Sequence, residues 1–251
     1  MFIDVHCHLD SNYYNDIDKV INNAKKNNVN KLIYNGCNKK SNKEIIKLIN
    51  KYDSVYGAVG YHPTELDDVN EKDYELLESL LSNKKIVAIG EIGLDYHYPD
   101  TNKEKQKYAF RRQLELAEKH NIPVIVHSRD AIQDTFDIMS EYNIKGVIHC
   151  FSGSVEMAKE FIKKGFLISV GGIITFKNAK NIKEVVKNVD LSYILLETDS
   201  PYLSPEPYRG NKNDPSNIPV IAESIASIKG VTNIDVARVT TANAEEVFDF
   251  L

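Results

Sequence analysis

Eight short, continuous apolar runs, each followed by a stretch with helical spacing, constrain this chain more than any other feature. The runs lie at Phe2–His8, Lys31–Asn35, Val55–Tyr61, Ile86–Glu91, Pro123–His127, Gly146–His149, Phe166–Val170 and Tyr193–Glu197. They are rich in Val and Ile, as strands are when both faces are buried. Between them, apolar positions return at helical intervals. Ile17, Val20, Ile21 and Ala24 fall at i, i+3, i+4 and i+7. Further stripes run through Ile45, Ile46, Leu48 and Ile49, through Tyr74, Leu77, Leu80 and Leu81, and through Ala109, Phe110, Leu114 and Ala117. Such alternation predicts parallel βαβ units. Eight of them fit a closed α/β barrel, the (β/α)8 or TIM barrel, better than an open sheet. The 251 residues match the usual length of one such barrel. No Pro/Gly/Ser-rich linker divides them, so one domain over 1–251 is expected. Two further helices, using Ile225 and Val236–Val247, are expected to close the C-terminus.

The ends of these runs carry the chemistry. Five of the seven histidines, His6, His8, His62, His127 and His149, sit at or just after strand ends, and Glu91 and Asp199 occupy matching places. In a barrel of parallel strands, the C-terminal strand ends converge on one site. His6 and His8 are two apart, so a strand places both on one face and turns Cys7 to the other. Singly, each residue has a plainer reading: packed histidines, or a salt bridge across the barrel for Glu91. Gathered at one rim, they read as a metal centre, because a buried carboxylate must be paired or metal-bound. Four histidines and two acids exceed what one tetrahedral ion needs, whereas two ions bridged by Glu91 use the whole set. Such N/O donors suit Zn, Mn, Fe or Ni, and more weakly Mg. Asp199 could both ligate and accept a proton from water. Asp4 reads either as an orienting partner for a ligand imidazole or as a buried structural acid. Asp95 reads as support for Glu91, and Glu197 faces either the barrel interior or the helical layer. Gly90 and Gly93 permit close backbone approach. Cys7 and Cys150 read as buried apolar fillers.

The net charge of −5 gives no global basic footprint for nucleic acid, although bound cations can invert the charge of a site. No GxGxxG, P-loop or Ser-centred nucleophile elbow occurs. No apolar stretch is long enough to span a bilayer and no signal peptide is legible, so a soluble, cytoplasmic protein is expected. The loop Ser200–Ile218 holds four of the eight prolines and reads as an active-site wall. It carries Tyr202, Arg209 and Lys212 as candidate substrate contacts; pairing of Arg209 with Glu206 or Asp214 is the plainer alternative. Arg129-Asp130 reads as a helix start capped by Asp130.

The motifs DVHCHLD, GYHP (60–63), GEIGLDY (90–96), PVIVHSRDA (123–131), HCFSGS (149–154) and ETDSPYLSPEPYRGNKNDP (197–215) together resemble the TatD family of metal-dependent deoxyribonucleases, within the amidohydrolase-like barrels. The likeness spans the chain. It implies that His6, His8, Glu91 and Asp199 hold one divalent cation and that Glu91, His127 and His149 hold a second, the metal being Mg, Mn or Zn. It also implies hydrolysis of DNA phosphodiesters, as a 3′→5′ exonuclease, with Asp199 as proton acceptor for the attacking water. His62, outside the six ligands, is expected to hydrogen-bond the phosphate or leaving oxygen. The negative net charge favours single-stranded or frayed ends over long duplex. One departure is an acid, Glu245 or Glu246, where the family's closing helix usually has a basic residue. The alternative activity on the same barrel is that of an amidohydrolase, lactonase or esterase. Many such enzymes bridge their metals with a carboxylated lysine, and GEIGLDY contains no lysine. A non-catalytic metal-binding descendant is the remaining reading, and the complete ligand set argues against it.

Overall fold

The structure is a computed structural model that describes residues 1–250. Eight parallel strands follow one another in chain order around the sheet: β1 (Phe2–Cys7), β2 (Val29–Asn35), β3 (Val55–Val59), β4 (Ile86–Asp95), β5 (Val124–Arg129), β6 (Gly146–Ile148), β7 (Phe166–Val170) and β8 (Ile194–Leu196). Helices α1 (Ile17–Lys26), α2 (Lys39–Lys51), α3 (Glu71–Leu80), α4 (Lys103–His120), α5 (Ile132–Met139), α6 (Val155–Lys163) and α7 (Lys180–Asn188) connect them. This is the TIM barrel that the alternation predicts. The seam between β1 and β8 closes through backbone bonds: the Asp199 N–H donates to the His6 carbonyl (2.9 Å) and the His8 N–H to the Ser200 carbonyl (2.7 Å). Closure therefore brings together the first and last strand ends, where three candidate ligands stand.

The helical stripes face the strands as their spacing requires. Val20, Ile21 and Ala24 of α1, Ile45 and Ile49 of α2, and Phe110, Leu114 and Ala117 of α4 are buried. Asp16, Asn38, Asn70 and Asn102 cap the first four helices with side-chain oxygens. Asp130 does not cap α5, contrary to expectation. The helix starts a residue later, behind Ala131, with no side-chain cap, and Asp130 adopts φ +54°. Its carboxylate lies 3.1 Å from His97 Nδ1 instead.

The C-terminal pair is α8 (Ile218–Lys229) and α9 (Asn233–Val247). Ala244 and Phe248 pack into the apolar cluster formed by Ile3, Val5, Ile33, Ile125, Val147 and Leu195, closing the lower end of the barrel. Glu245 lies on that outer floor, 3.1 Å from Lys31 Nζ and remote from the strand ends that carry the candidate ligands. Above the apolar layer the buried residues turn polar: Asp4, Asn35, Ser169, Glu197 and Thr198. Among the described residues, no helix is long and apolar enough to cross a membrane.

Candidate metal centre

Glu91 is the hub of the upper rim. It is 3 % exposed, so its charge must be met by neighbours. Its Oε1 lies 2.9 Å from His127 Nδ1, 3.0 Å from His149 Nε2 and 3.4 Å from His62 Nε2. Its Oε2 lies 3.4 Å from His6 Nε2 and 3.6 Å from His8 Nε2. Asp199 Oδ1 faces the same pair, at 3.5 Å from His6 Nε2 and 3.4 Å from His8 Nε2. The left-handed backbone of Asp199, φ +53°, follows directly after the seam. All six residues that the motifs pick out as ligands, with His62, therefore meet around one carboxylate.

The donor spacing fits small cations. A tetrahedral ion with bonds of about 2.0–2.1 Å has donor–donor edges of about 3.3–3.4 Å. Around Oε2, the edges involving His6, His8 and Asp199 run from 3.2 to 3.6 Å. Around Oε1, His127 Nδ1 and His149 Nε2 are 3.2 Å apart. That second cluster offers three donors and an open side.

Hydrogen bonds set the tautomers. His8 Nδ1 lies 3.1 Å from the Asn35 carbonyl and must donate to it, which leaves Nε2 with a free lone pair. His127 Nε2 lies 3.2 Å from Asp95 Oδ2, which leaves Nδ1 free. His62 is the reverse case. The Thr64 N–H donates to His62 Nδ1 at 3.2 Å, so Nε2 of the neutral ring carries the proton and points toward Glu91. His62, Glu91 and His127 lie close enough to form a metal cluster, but a protonated Nε2 makes His62 a donor rather than a ligand.

The electrostatics agree with an anionic hub. Burial raises the Glu91 carboxyl, but His149, His62, His6 and the His127 hydrogen bond outweigh it and hold it well below the usual range. Asp199 is lowered in the same way by His8, His6 and His149, against its burial. Burial pushes His149 down, while Glu91 and Glu197 draw it well above an ordinary imidazole. Burial and the neighbouring His149 lower His6.

The supporting residues divide less simply. Asp4 does not orient an imidazole. Its carboxylate accepts the His6 N–H (3.2 Å), the Thr198 N–H (3.0 Å) and the Thr198 hydroxyl (2.6 Å), tying β1 to β8. Asp95 supports His127 rather than Glu91. Glu197 faces the interior: it accepts from the Ser169 hydroxyl and the Cys150 N–H (2.7 Å) and stands 3.7 Å behind His149 Nδ1. Cys7 is buried, whereas Cys150 is part-exposed on a cavity wall rather than a core filler. Cys37 is a missed neighbour, with Sγ 3.7 Å from Glu91 Oε2.

Two cavities, of about 590 and 450 Å³, flank the centre and share His127, Arg129, His149, Asp199 and Tyr202 as walls. The Tyr202 hydroxyl meets that of Tyr13 at 2.6 Å. Arg209 and Lys212 line neither cavity. Arg209 stacks 4.4 Å over Phe176, 3.9 Å from Glu206, and Lys212 donates to the Tyr13 carbonyl. These contacts fasten the loop to Phe176 and Tyr13 beside it. Asn213, buried and absent from the sequence reading, anchors that loop by donating to the Thr198 (2.8 Å) and Tyr202 (2.7 Å) carbonyls.

A TIM barrel with imidazoles and carboxylates gathered at its C-terminal rim is the architecture of a metal-dependent hydrolase, and this protein is one. Residues 3–249 match the family model described as TatD related DNase. The chain belongs to the TatD family. It is 41% identical to the uncharacterized metal-dependent hydrolase YabD of Bacillus subtilis, over 99% of each chain. It is 38% identical to the uncharacterized metal-dependent hydrolase MJ1582 of Methanocaldococcus jannaschii, over 98% of this chain and 96% of that one. Among solved structures, the TatD homologue YJJV of Escherichia coli superimposes with a TM-score of 0.93 at 29% identity, covering 99% of this chain and 98% of that one.

Proposed function

We propose that this hydrolase cleaves phosphodiester bonds at DNA ends, as a 3′→5′ exodeoxyribonuclease that uses two divalent cations. The observation that carries the reading is the division of Glu91: one oxygen faces His6 and His8, the other faces His127 and His149. A bridging carboxylate needs that division. His6, His8, Asp199 and Glu91 would hold one ion; His127, His149 and Glu91 would hold the other. When bound, Mg, Mn or Zn ions supply Lewis-acid charge for phosphoryl oxygens and lower the pKa of water.

The chain's own groups complete the reaction. Asp199, kept anionic, accepts the proton of the attacking water. His62 donates its Nε2–H to a phosphoryl or leaving oxygen. Tyr202, 47% exposed at the rim, offers its ring to a base. Cavities of about 590 and 450 Å³ suit one or two nucleotides rather than a duplex. The net charge of −5 supports the same preference for single-stranded or frayed ends. A carboxylate hub without a lysine favours this reading over an amidase or lactonase.

The test is incubation of end-labelled single-stranded DNA with Mg²⁺ or Mn²⁺, with and without chelator, beside Glu91→Ala and a panel of amides and lactones. Metal-dependent shortening by wild type, absent in Glu91→Ala, is expected. Turnover of an amide or lactone with DNA left intact across the metal panel would overturn the assignment.

A further inference from the structure

Four of the chain's five arginines sit beside a carboxylate: Arg111 by Glu141, Arg112 by Glu71 and Glu115, Arg209 by Glu206, and Arg238 by Asp235. Arg129 is the exception. Among the described residues, no carboxylate oxygen lies within 4.0 Å of its guanidinium. It sits by the Tyr98 ring, 5.9 Å from Cζ to the ring centre, and its charge helps to lower the Asp95 carboxyl, its register partner on β4, without a direct ion pair. The side chain is exposed, yet it is not remote from the chemistry. It ends β5 two positions beyond His127, which places it on the same face of the strand and about 6–7 Å further along it. Ser128, between them, points the other way, where its Oγ meets Thr135 Oγ1 at 2.9 Å. Arg129 lines both cavities and stands at the divide between them.

A guanidinium with no direct carboxylate partner, standing above the candidate metal centre, has a specific chemical use. Its planar fork of donors matches the oxygens of a phosphate. The scissile phosphate belongs on the floor, among Glu91, Asp199 and the imidazoles. A cation one step further out meets the neighbouring phosphate of the same strand. We propose that Arg129 is a positioning residue that grips the phosphate next to the scissile one and holds the strand across the divide between the cavities. The proposal rests on the phosphodiesterase reading and adds a determinant that separates polymeric from single-phosphate substrates.

The experiment compares the metal-loaded wild type with Arg129→Ala and Arg129→Lys on two substrates. Pentathymidylate has neighbouring phosphates; the p-nitrophenyl ester of thymidine 5′-monophosphate has none. Arg129→Ala is expected to lower kcat/KM on pentathymidylate by about 10–100-fold, through KM, as loss of a charged hydrogen bond implies. The single-phosphate ester should change by less than about threefold. Binding of a phosphorothioate pentathymidylate, which keeps its charges and resists hydrolysis, is measured in parallel by fluorescence anisotropy. In Arg129→Ala the slope of log Kd against log salt should shrink by about 0.7, the value for one phosphate contact on a single strand. Arg129→Lys should keep the slope and recover part of the KM. Equal losses on both substrates, or an unchanged slope, would overturn the proposal. If wild type hydrolyses neither substrate, the nuclease reading fails, and the salt slope still judges Arg129. If wild type does not bind the oligomer either, both fall.

Discussion

Replacing Asp95 with Asn should weaken one of the two proposed cation positions and spare the other. Asp95 is 2 % exposed, and its Oδ2 lies 3.2 Å from His127 Nε2. The carboxylate accepts the Nε2 proton and so keeps the Nδ1 lone pair free to face Glu91. Its other oxygen accepts the His97 N–H at 3.0 Å. Asn preserves the volume and can keep the His97 bond with its carbonyl. Its amide group then faces Nε2 with hydrogens, and the ring is driven toward the tautomer whose Nδ1 is protonated and cannot ligate. Losing such a partner costs about 10–100-fold in metal affinity, which is about 1.4–2.7 kcal/mol. Asp95 bonds to His127, His97 and Gln106 and not to His6, His8 or Asp199, so their position should hold. A competition titration against a chromophoric chelator, resolving two binding steps, reads this directly. One step should move and the other stay. Equal movement of both steps would show that Asp95 acts on the whole fold, and no movement would refute the tautomer argument.

Other expectations follow from the same geometry. Gly93 pairs with His127 across β4 and β5 at φ +139°, and a Cβ there would lie 2.0 Å from the His127 carbonyl oxygen. Gly93→Ala should therefore cost more than about 1 kcal/mol in a denaturant melt and weaken the same cation step; a neutral substitution would contradict the close approach. Phe248→Ala removes a side chain that is 1 % exposed on the barrel floor, and urea unfolding should show a loss of about 3–5 kcal/mol with metal content unchanged. His127 and His149 are raised above an ordinary imidazole despite burial, chiefly through Asp95 and Glu91 respectively. A raised pKa means protons occupy these rings to higher pH, so metal affinity should fall as pH drops, by about tenfold per unit for each proton displaced. Calorimetric titration between about pH 6 and pH 8 checks this, and a flat profile would contradict it.

The strand ends were legible because a barrel puts them in register: a histidine after an apolar run is a weak sign once, and six coordinated residues at one rim are not. The helical stripes were legible for the related reason that α1 and α4 bury one face. What stayed hidden depends on partners far along the chain. Gln113 clamps Tyr61 beside His62 by accepting its N–H (2.8 Å), and Gln106 accepts the Asp95 N–H (2.8 Å). Nothing in local sequence distinguishes a buried amide bonded to a strand end from one on a helix surface. Thr198 meets Asp4 only because the barrel closes. Asp130 looked like a cap, since Asp before a helix usually is one, yet the backbone turned left-handed there and sent the carboxylate to His97. Arg129 was masked by the same misreading, because a residue assigned to a helix start is not sought at the mouth of a site.

The central claim is that Glu91 bridges two cations, and metal content after reconstitution tests it most directly. Wild type and Glu91→Ala are loaded with Mn²⁺ or Zn²⁺, freed of excess ion and measured by plasma mass spectrometry against protein concentration. Wild type should hold two ions per chain, and Glu91→Ala should hold fewer than one with its fold intact by circular dichroism. A single ion in fully active wild type, or two ions retained without Glu91, would contradict the account.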